Sequence, residues 1–265
     1  LDTIRDVHAQ NDVLVHGNLP CPVTLAERRS SGHAHHACCL REGRAVEFTF
    51  PSGTVPVTRG KQLTTIYLVR HGSTAWNEQP RFRGLANIPL SDSGRRQAAG
   101  LRELLRNKPL VAVYSSPLLR AVQTAEVLAS AHDLKVSVEP DLRSIDYGRW
   151  EGKTEEEAKA SDPELYGRFL DAIESVRFPD GESMEELRVR AFAALKRIAR
   201  EHAGSEVAVV THQVVTRVLL CAVIGTDSHP YWQLGQDTAC LNVLEHDSGF
   251  RLKLLNVVPG VWPAV

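Results

Sequence analysis

Short apolar runs alternate with amphipathic stretches along the chain from about residue 63 onward. Residues 66–69, 110–114 and 207–211 are continuous apolar runs rich in valine and other strand-forming residues, which predicts buried strands. Val136 and Val138 indicate a further short strand. Apolar residues on both sides of Asp247-Ser248-Gly249 predict a C-terminal β-hairpin.

Helix signals follow the first two of these long runs. Ser91 is placed to cap a helix whose apolar residues recur at helical spacing. Ser116 as the N-cap, with Pro117 at the first helical position, predicts a second helix. Each of these helices would follow a strand, which is the order found in α/β proteins.

Two more helices are indicated in the second half of the chain. Ser183 and Glu186 form a capping box in front of one of them. The other is expected over residues 214–224, with Gly225 as its stop. Because strands and helices alternate, the sequence predicts an α/β three-layer sandwich with a mostly parallel central sheet.

The first 62 residues have a different character. They contain four prolines and few apolar runs, and residues 44–50 alternate well enough to predict a single strand. We therefore expect residues 1–62 to form a small N-terminal appendage whose role the sequence leaves open. Residues 63–265 are expected to form one large domain.

Composition and charge narrow the class of protein. The chain has 265 residues, 24% of them charged, and a formal net charge of −1, so neither nucleic acid nor a membrane surface is an expected partner. No run of about 18 apolar residues is present, and the first residues lack the pattern of a signal peptide. Five cysteines, an odd count, favour reduced thiols and a cytoplasmic location. A homodimer is left open.

A histidine and cysteine cluster at positions 33–39 raises the question of a metal site. Its spacing does not match the paired ligands of the usual zinc sites. No metal and no other cofactor is therefore expected.

Candidate chemistry lies at three junctions between a predicted strand and a predicted helix. Arg70-His71, Arg120 and His212 occupy these junctions. Ligands bind at the carboxyl ends of strands in α/β sheets, and arginine at a helix N-terminus suits a phosphate group. A lone arginine would be read as a solvated surface residue, but three such junctions in one sheet predict a phosphate site.

His71 is the candidate nucleophile. An imidazole attacks phosphorus only when it is neutral, and the neighbouring cations Arg70 and Arg120 disfavour its protonation. Transfer of the phosphoryl group to His71 would divide hydrolysis into two steps, and the arginine and histidine donors would supply the positive charge that the transferring group needs.

Beyond these junctions, the chain resembles the histidine phosphatase superfamily, the phosphoglycerate-mutase-like group that is named for Arg-His-Gly. The resemblance spans roughly residues 64–257. It rests on Arg70-His71-Gly72, Thr74, Asn77, Arg83-Gly84, Pro89-Leu90-Ser91, Ser115-Ser116-Pro117, Arg120-Ala121, Asp146-Tyr147-Gly148, Gly181-Glu182-Ser183 and His212.

The resemblance implies a role for each matching residue. His71 would be the phosphorylated nucleophile, and Arg70, Arg120 and His212 would form the phosphate pocket. The substrate-binding residues would be Thr74, Asn77, Gly84 and Glu182.

One departure from the family pattern concerns the proton donor. The family usually has Leu-x-Glu before Asp-Tyr-Gly, and that glutamate protonates the leaving group, whereas this chain has Leu142-Arg143-Ser144. A serine hydroxyl is too weak an acid for this role near neutral pH. Asp146 is the first substitute and Glu182 the second, although Asp146 has an equally good reading as a structural carboxylate.

Three functions remain in competition. The first is a metal-independent phosphomonoesterase for a small metabolite, and the second is a phosphoglycerate mutase. Mutases of this group carry Gly-Trp-Tyr and Gly-Asn-Ser where this chain has Leu85-Ala86-Asn87 and Gln213-Val214-Val215, which favours the phosphatase. The third is a weakly active member that binds phosphorylated ligands, and Ser144 is its only support.

Overall fold

A computed structural model describes residues 62–77, 81–226 and 231–260 in full, and the backbone of three strands in the first fifty residues. The chain divides into two compact units, residues 1–58 and 59–265. In the first unit, three strands form an antiparallel sheet in chain order: β1 (Ala26–Glu27), β2 (His36–Arg41) and β3 (Arg44–Thr49). Strand β3 confirms the strand expected at 44–50, whereas residues 33–35 of the histidine and cysteine cluster lie outside the described residues.

The second unit is built on a six-stranded sheet. Its strands are β4 (Thr64–Arg70), β5 (Leu110–Ser115), β6 (Val136–Val138), β7 (Glu206–Thr211), β8 (Leu241–His246) and β9 (Phe250–Val257), in the order β6-β5-β7-β4-β8-β9. Strands β6, β5, β7 and β4 are parallel, and β8 and β9 form an antiparallel hairpin added beside β4. The mostly parallel sheet and the C-terminal hairpin are confirmed.

Six α-helices are described: α1 (Asp92–Leu105), α2 (Leu119–Ala129), α3 (Glu155–Ser161), α4 (Pro163–Asp171), α5 (Met184–Glu201) and α6 (Gln213–Ile224). Successive side chains of β4 point to opposite faces of the sheet. Tyr67 and Val69 pack with α1 and α2, while Ile66 and Leu68 pack with the other four helices. The three-layer arrangement is therefore confirmed. Among the described helices, none has the length and apolar character that crossing a bilayer requires.

Most of the predicted helix boundaries are confirmed. The Ser91 hydroxyl accepts a hydrogen bond from the Gly94 amide at the start of α1. Ser183 and Glu186 make both bonds of a capping box at the start of α5. Gly225 ends α6 in the left-handed region, with φ of 68°.

The predicted start of α2 is wrong. The helix begins at Leu119, two residues after Pro117, and its N-cap is Leu118, whose side chain makes no capping bond. The Ser116 hydroxyl accepts a hydrogen bond from the Leu118 amide at 3.3 Å and lies 2.7 Å from Nε2 of His212, which belongs to the junction after β7. It thus joins a local turn before the helix to a long-range partner and is not the N-cap of α2.

Candidate active site

The predicted junction residues meet at one cavity. Arg70 ends β4, and the next residue, His71, lies beside His212, which follows β7; their ring centroids are 5.2 Å apart. The two strands are parallel neighbours with Arg70 opposite Thr211, so both histidines leave the same edge of the sheet. Described residues that line the cavity are Arg70, His71, Arg81, Phe82, Arg83, Gly84, Arg120, Ser144, Tyr147, Glu155, Phe169, His212, Gln213, Val214, Arg217, Tyr231 and Trp232.

His71 is held in one orientation. Its Nδ1 atom lies 2.7 Å from the carbonyl oxygen of Gly72, which can only accept, so Nδ1 carries the proton. Nε2 therefore has the lone pair, and Nε of Arg120 donates to it at 3.3 Å. Burial, followed by the charges of Arg120 and Arg70, holds the pKa of His71 well below its usual value. The imidazole is neutral near pH 7 and presents Nε2 as a nucleophile.

His212 is the second buried histidine of the cavity. Its Nε2 is paired with the Ser116 hydroxyl, whereas its Nδ1 is buried and has no protein partner. Burial lowers the pKa of His212 far below its usual value, and the charge of Arg120 adds to the effect. If the Ser116 hydroxyl donates to Nε2, Nδ1 carries the proton and is a donor that faces the cavity.

Unpaired buried donors identify what the cavity holds. Within the described part of the chain, four buried side-chain nitrogens or oxygens lack a hydrogen-bond partner, and three of them are Nε of Arg70, Nη1 of Arg83 and Nδ1 of His212. All three residues line the cavity. Buried polar atoms are paired in most proteins, so three orphaned nitrogens around one space call for a ligand with several acceptor oxygens. A phosphate group has that chemistry.

Arg120 has a different geometry from the one its position suggests. It is the second residue of α2 and is almost fully buried, which lowers its pKa to about 10. Nη1 donates to the carbonyl of Ala86 at 2.7 Å and Nη2 to that of Gly84 at 3.0 Å. The guanidinium fork therefore holds the 84–86 turn, and only Nε points at His71.

A buried polar network supports Arg70 from behind. Arg70 Nη1 donates to the backbone carbonyl of Gln236, and the Gln236 side chain exchanges two hydrogen bonds with Asn242, both of 2.9 Å. Asn242 lies in β8 and also donates to the carbonyl of Leu68 in β4. Neither Gln236 nor Asn242 was predicted as a site residue from the sequence. The feature that could have indicated this network is the single asparagine, Asn242, in the otherwise apolar run 241–244.

The predicted substrate-binding residues separate into two groups. Gly84 lines the cavity, where it has φ of 49°. Thr74 and Asn77 are not among the described lining residues. They are hydrogen-bonded to each other, with Asn77 Oδ1 accepting from both the amide and the hydroxyl of Thr74. Their visible role is to shape the turn that follows His71.

The two candidate proton donors do not reach the described wall of the cavity. Asp146 Oδ1 accepts from the Gly148 amide at 2.8 Å and so closes its own loop. Glu182 is buried against Arg190, with an N–O distance of 2.6 Å, and Arg190 also donates to the carbonyl of Ser144. A role for either carboxylate as the proton donor therefore stays a prediction, with no support from the described wall. Ser144 itself lines the cavity.

Several residues of the wall were not recognised in the sequence. Glu155, at the start of α3, is the one carboxylate among the described lining residues, and it accepts from the Tyr166 hydroxyl at 3.2 Å. Arg217 lies four residues after Gln213 on α6, and both face the cavity. The spacing from Gln213 offered a signal for Arg217, because residues four apart share a helix face. Glu155 had no such signal.

Two glycines keep the loop after His71 in contact with α1. A Cβ atom on Gly72 would lie 2.6 Å from the carbonyl oxygen of Gly94, and one on Gly94 would lie 2.0 Å from that of Ser73. Neither distance is compatible with a real side chain, so the backbone itself packs here.

Comparison with known proteins identifies one family and several similar enzymes. The model of the histidine phosphatase superfamily (branch 1) matches residues 66–258. Phosphoserine phosphatase 1 of Hydrogenobacter thermophilus is 35% identical over 182 residues, which cover 69% of this chain and 86% of that protein. The probable phosphoglycerate mutase GpmB of Yersinia pestis is 34% identical over 164 residues, which cover 62% of this chain and 76% of that protein.

A solved structure agrees with the fold described above. YhfR of Bacillus stearothermophilus superposes with a TM-score of 0.70 at 33% identity. The match covers 74% of this chain and 98% of that one. The similarity therefore extends over nearly the whole of the solved chain.

Proposed function

Because the chain belongs to branch 1 of the histidine phosphatase superfamily, we propose that it hydrolyses small phosphate monoesters through a phosphohistidine on His71. Phosphatase activity on a small metabolite is the function that the family and the named relatives share most widely. The observation that carries the proposed route is the neutral His71 imidazole, whose Nε2 lone pair faces a cavity of buried cationic donors. The same proposal puts the enzyme in the cytoplasm, where small phosphorylated metabolites are made.

In the first half of the reaction, the phosphoryl oxygens accept hydrogen bonds from Arg70 Nε, Arg83 Nη1 and His212 Nδ1. Arg120 Nε turns from His71 Nε2 to a phosphoryl oxygen, which frees the lone pair. Nε2 then forms a bond to phosphorus while the bond from phosphorus to the ester oxygen breaks. The departing oxygen takes a proton from Glu155, the one carboxylate of the described wall, and leaves as the alcohol.

In the second half, a water molecule attacks the phosphohistidine. The bond from phosphorus to Nε2 breaks, the attacking water passes a proton to the Glu155 carboxylate and so restores it as an acid, and inorganic phosphate leaves. His71 returns to its neutral form with the proton still on Nδ1, held by Gly72. The donors that stabilised charge in the first half serve again in the second, because the phosphoryl oxygens hardly move.

The resemblance to GpmB keeps a mutase as the second candidate. A mutase would return the phosphoryl group from His71 to a second hydroxyl of an acid instead of passing it to water. Incubation with 3-phosphoglycerate and its bisphosphate separates the two, since a phosphatase releases inorganic phosphate and a mutase forms 2-phosphoglycerate.

The proposed route is tested by trapping the intermediate. Radiolabelled nitrophenyl phosphate, quenched during turnover, should leave a base-stable, acid-labile label on the peptide that contains His71. His71→Gln should abolish both label and turnover, while His202→Gln, in a half-buried histidine outside the cavity, should keep both. An acid-stable label, or full turnover by His71→Gln, would overturn the proposal.

A further inference from the structure

Arg190, near the middle of α5, forms a close ion pair with Glu182. The two side chains are only 11% and 9% exposed. Nε of Arg190 donates to Oε1 of Glu182 at 2.6 Å, and Nη2 donates to Oε2 at 2.7 Å, so the pair has the two parallel bonds that fit a guanidinium to a carboxylate. Glu182 directly precedes Ser183, the N-cap of α5, so both partners are attached to the same helix.

The other donors of Arg190 bind one stretch of backbone. Nη1 donates to the carbonyls of Asp141 and Arg143, at 2.6 and 2.9 Å, and Nη2 donates to that of Ser144 at 3.0 Å. A guanidinium has five N–H groups, and the two bonds to Glu182 and these three use each of them. An arginine saturated in this way holds its neighbours in place and does not bind substrate.

The same stretch of backbone is also bound from the side of the sheet. The hydroxyl of Thr211, at the end of β7, donates to the carbonyl of Leu142 at 2.7 Å. All four carbonyls of the 141–144 segment are therefore hydrogen-bonded to side chains, three of them to Arg190 and one to Thr211. The segment thus connects α5 to β7.

The 141–144 segment meets the active site at two positions. Ser144 lines the cavity and is buried there. Thr211, which binds the segment, directly precedes His212. Burial, followed by nearby charges that include Arg190, lowers the pKa of His212, so the guanidinium also lies near that ring. A displacement of the segment would therefore reach both positions.

Resting on the proposed function, we propose that Arg190, oriented by Glu182, is a positioning residue of the active site. It fixes the backbone of residues 141–144, so that the wall at Ser144 and the neighbouring His212 keep the geometry that phosphoryl transfer needs. A misplacement of about 1 Å can lower a rate by about 10², so such a support affects turnover without touching substrate. In this assignment Glu182 acts through Arg190 and not on the departing oxygen.

Two variants of Arg190 test this role. Arg190→Lys keeps a charge beside Glu182 but has a single nitrogen, which cannot bind the carboxylate and three carbonyls together. The double variant Glu182→Gln/Arg190→Gln removes both charges, so neither stays buried without its partner. Each should lower kcat for nitrophenyl phosphate by about tenfold or more. KM should stay within about threefold, because Arg70, a phosphate donor in the proposed route, is held by Gln236 instead.

Glu182→Gln alone separates this role from one as a proton donor. If Glu182 acts through Arg190, the variant should slow propyl phosphate and nitrophenyl phosphate by the same factor. A larger loss for propyl phosphate, whose departing oxygen needs a proton, would return Glu182 to the chemistry and overturn the assignment. Arg188→Gln, in an exposed arginine of α5 that is paired with Glu185, is the matched control and should keep both kcat and KM.

Near-ultraviolet circular dichroism identifies the variants that fold. A kcat within about twofold of wild type in either folded Arg190 variant, whatever its KM, overturns the proposal. Failure of every variant to fold also overturns it, since the pair would then serve stability alone. In both cases, hydrolysis of nitrophenyl phosphate by the wild type through a labelled His71 would leave the proposed function standing. Absence of that hydrolysis in the wild type would instead contradict the proposed function itself.

Discussion

Nε of Arg120 lies 3.3 Å from Nε2 of His71 and donates to it. A permanent cation thus points at the lone pair that would attack phosphorus, which keeps the proton off Nε2 and fixes the ring plane. In the proposed route, the contact occupies the lone pair of His71 in the resting site. Substrate would therefore have to supply an oxygen that takes the Arg120 donor in place of His71 before attack begins.

The first prediction concerns Arg120→Lys. A lysine has a single nitrogen and cannot hold the carbonyls of Gly84 and Ala86 while reaching His71. We expect kcat/KM for nitrophenyl phosphate to fall by about 10² or more, although the charge is kept. Arg102→Lys, in a surface residue of α1, is the control. A near-normal rate for Arg120→Lys would show that the two Nη hydrogen bonds of Arg120 are not needed to position the site.

The second prediction concerns Ser116, which we assign as a positioning residue for His212. Removal of its hydroxyl leaves Nε2 of His212 unpaired and frees the choice of tautomer. Ser116→Ala should lower kcat/KM by about tenfold, and Ser116→Thr, which keeps a hydroxyl, should restore most of it. Equal losses in both variants would show that the site responds to volume at this position and not to the hydrogen bond.

The third prediction is a dependence of stability on pH. His71 and His212 have folded-state pKa values well below the usual value of about 6.5. Just below pH 6.5, the unfolded chain therefore binds protons at these two histidines that the folded protein does not bind. The free energy of unfolding should be largest above pH 6.5 and fall as pH drops below it. Each histidine contributes a slope of about 1.4 kcal/mol per pH unit.

Urea unfolding between about pH 7.5 and 5.5, in a buffer free of phosphate, measures this slope. His212→Gln should flatten the curve, and His202→Gln should not. If the His212 variant keeps the full slope, the pKa of His212 is not lowered in the folded protein.

The fourth prediction concerns the missing proton donor. Glu155 is the one carboxylate of the described wall, so Glu155→Gln should slow alkyl phosphates more than nitrophenyl phosphate, whose departing oxygen hardly needs a proton. Asp146→Asn should affect both esters equally, because its carboxylate is bound to the Gly148 amide. Ser144→Glu places an acid in the wall and should raise the rate for alkyl phosphates by a factor of about 10².

The measurement is the slope of log kcat/KM against the pKa of the leaving group for wild type and the three variants. A steeper slope for Asp146→Asn than for Glu155→Gln would return the role to Asp146. Identical slopes throughout would remove all three positions from proton transfer.

The fifth prediction concerns the N-terminal unit. Both hydrophobic clusters and the described cavity wall lie within residues 59–265. A chain that begins near residue 59 should therefore fold cooperatively and hydrolyse nitrophenyl phosphate. A molten truncated chain, recognised by loss of the near-ultraviolet circular dichroism signal, would show that the first unit is needed for the core.

The sequence predicts the parts of this fold that local patterns determine. Continuous apolar runs locate β4, β5 and β7, and the caps at Ser91 and Ser183 locate two helices, because these signals act within a few residues. The junction residues Arg70, His71 and His212 follow from strand ends. The order of the strands in the sheet depends on distant contacts and was not predictable in the same way.

The sequence is less informative where a side chain's partner depends on distant packing or on the path of a short loop. Ser116 has the local pattern of a helix cap, but its hydroxyl joins the Leu118 amide to His212, which is 96 residues away. Glu155 reaches the cavity through the packing of α3 and α4 on the aromatic cluster around Phe82 and Phe169, which no local pattern indicates. Asp146 directly precedes Tyr147, a residue of the wall, yet its carboxylate accepts a hydrogen bond from the Gly148 amide within the same short loop.

The backbone contact between Gly72 and Gly94 determines which positions near the cavity can be mutated. Any side chain at either glycine would displace the loop that follows His71. These two positions therefore do not tolerate substitution. The described cavity wall, in contrast, includes side chains such as Glu155 on α3 and Arg217 on α6. Mutant libraries that aim at a new ester specificity should therefore vary the side chains of that wall and leave the two glycines unchanged. Substitutions in the wall can change substrate preference while the loop after His71 keeps its position.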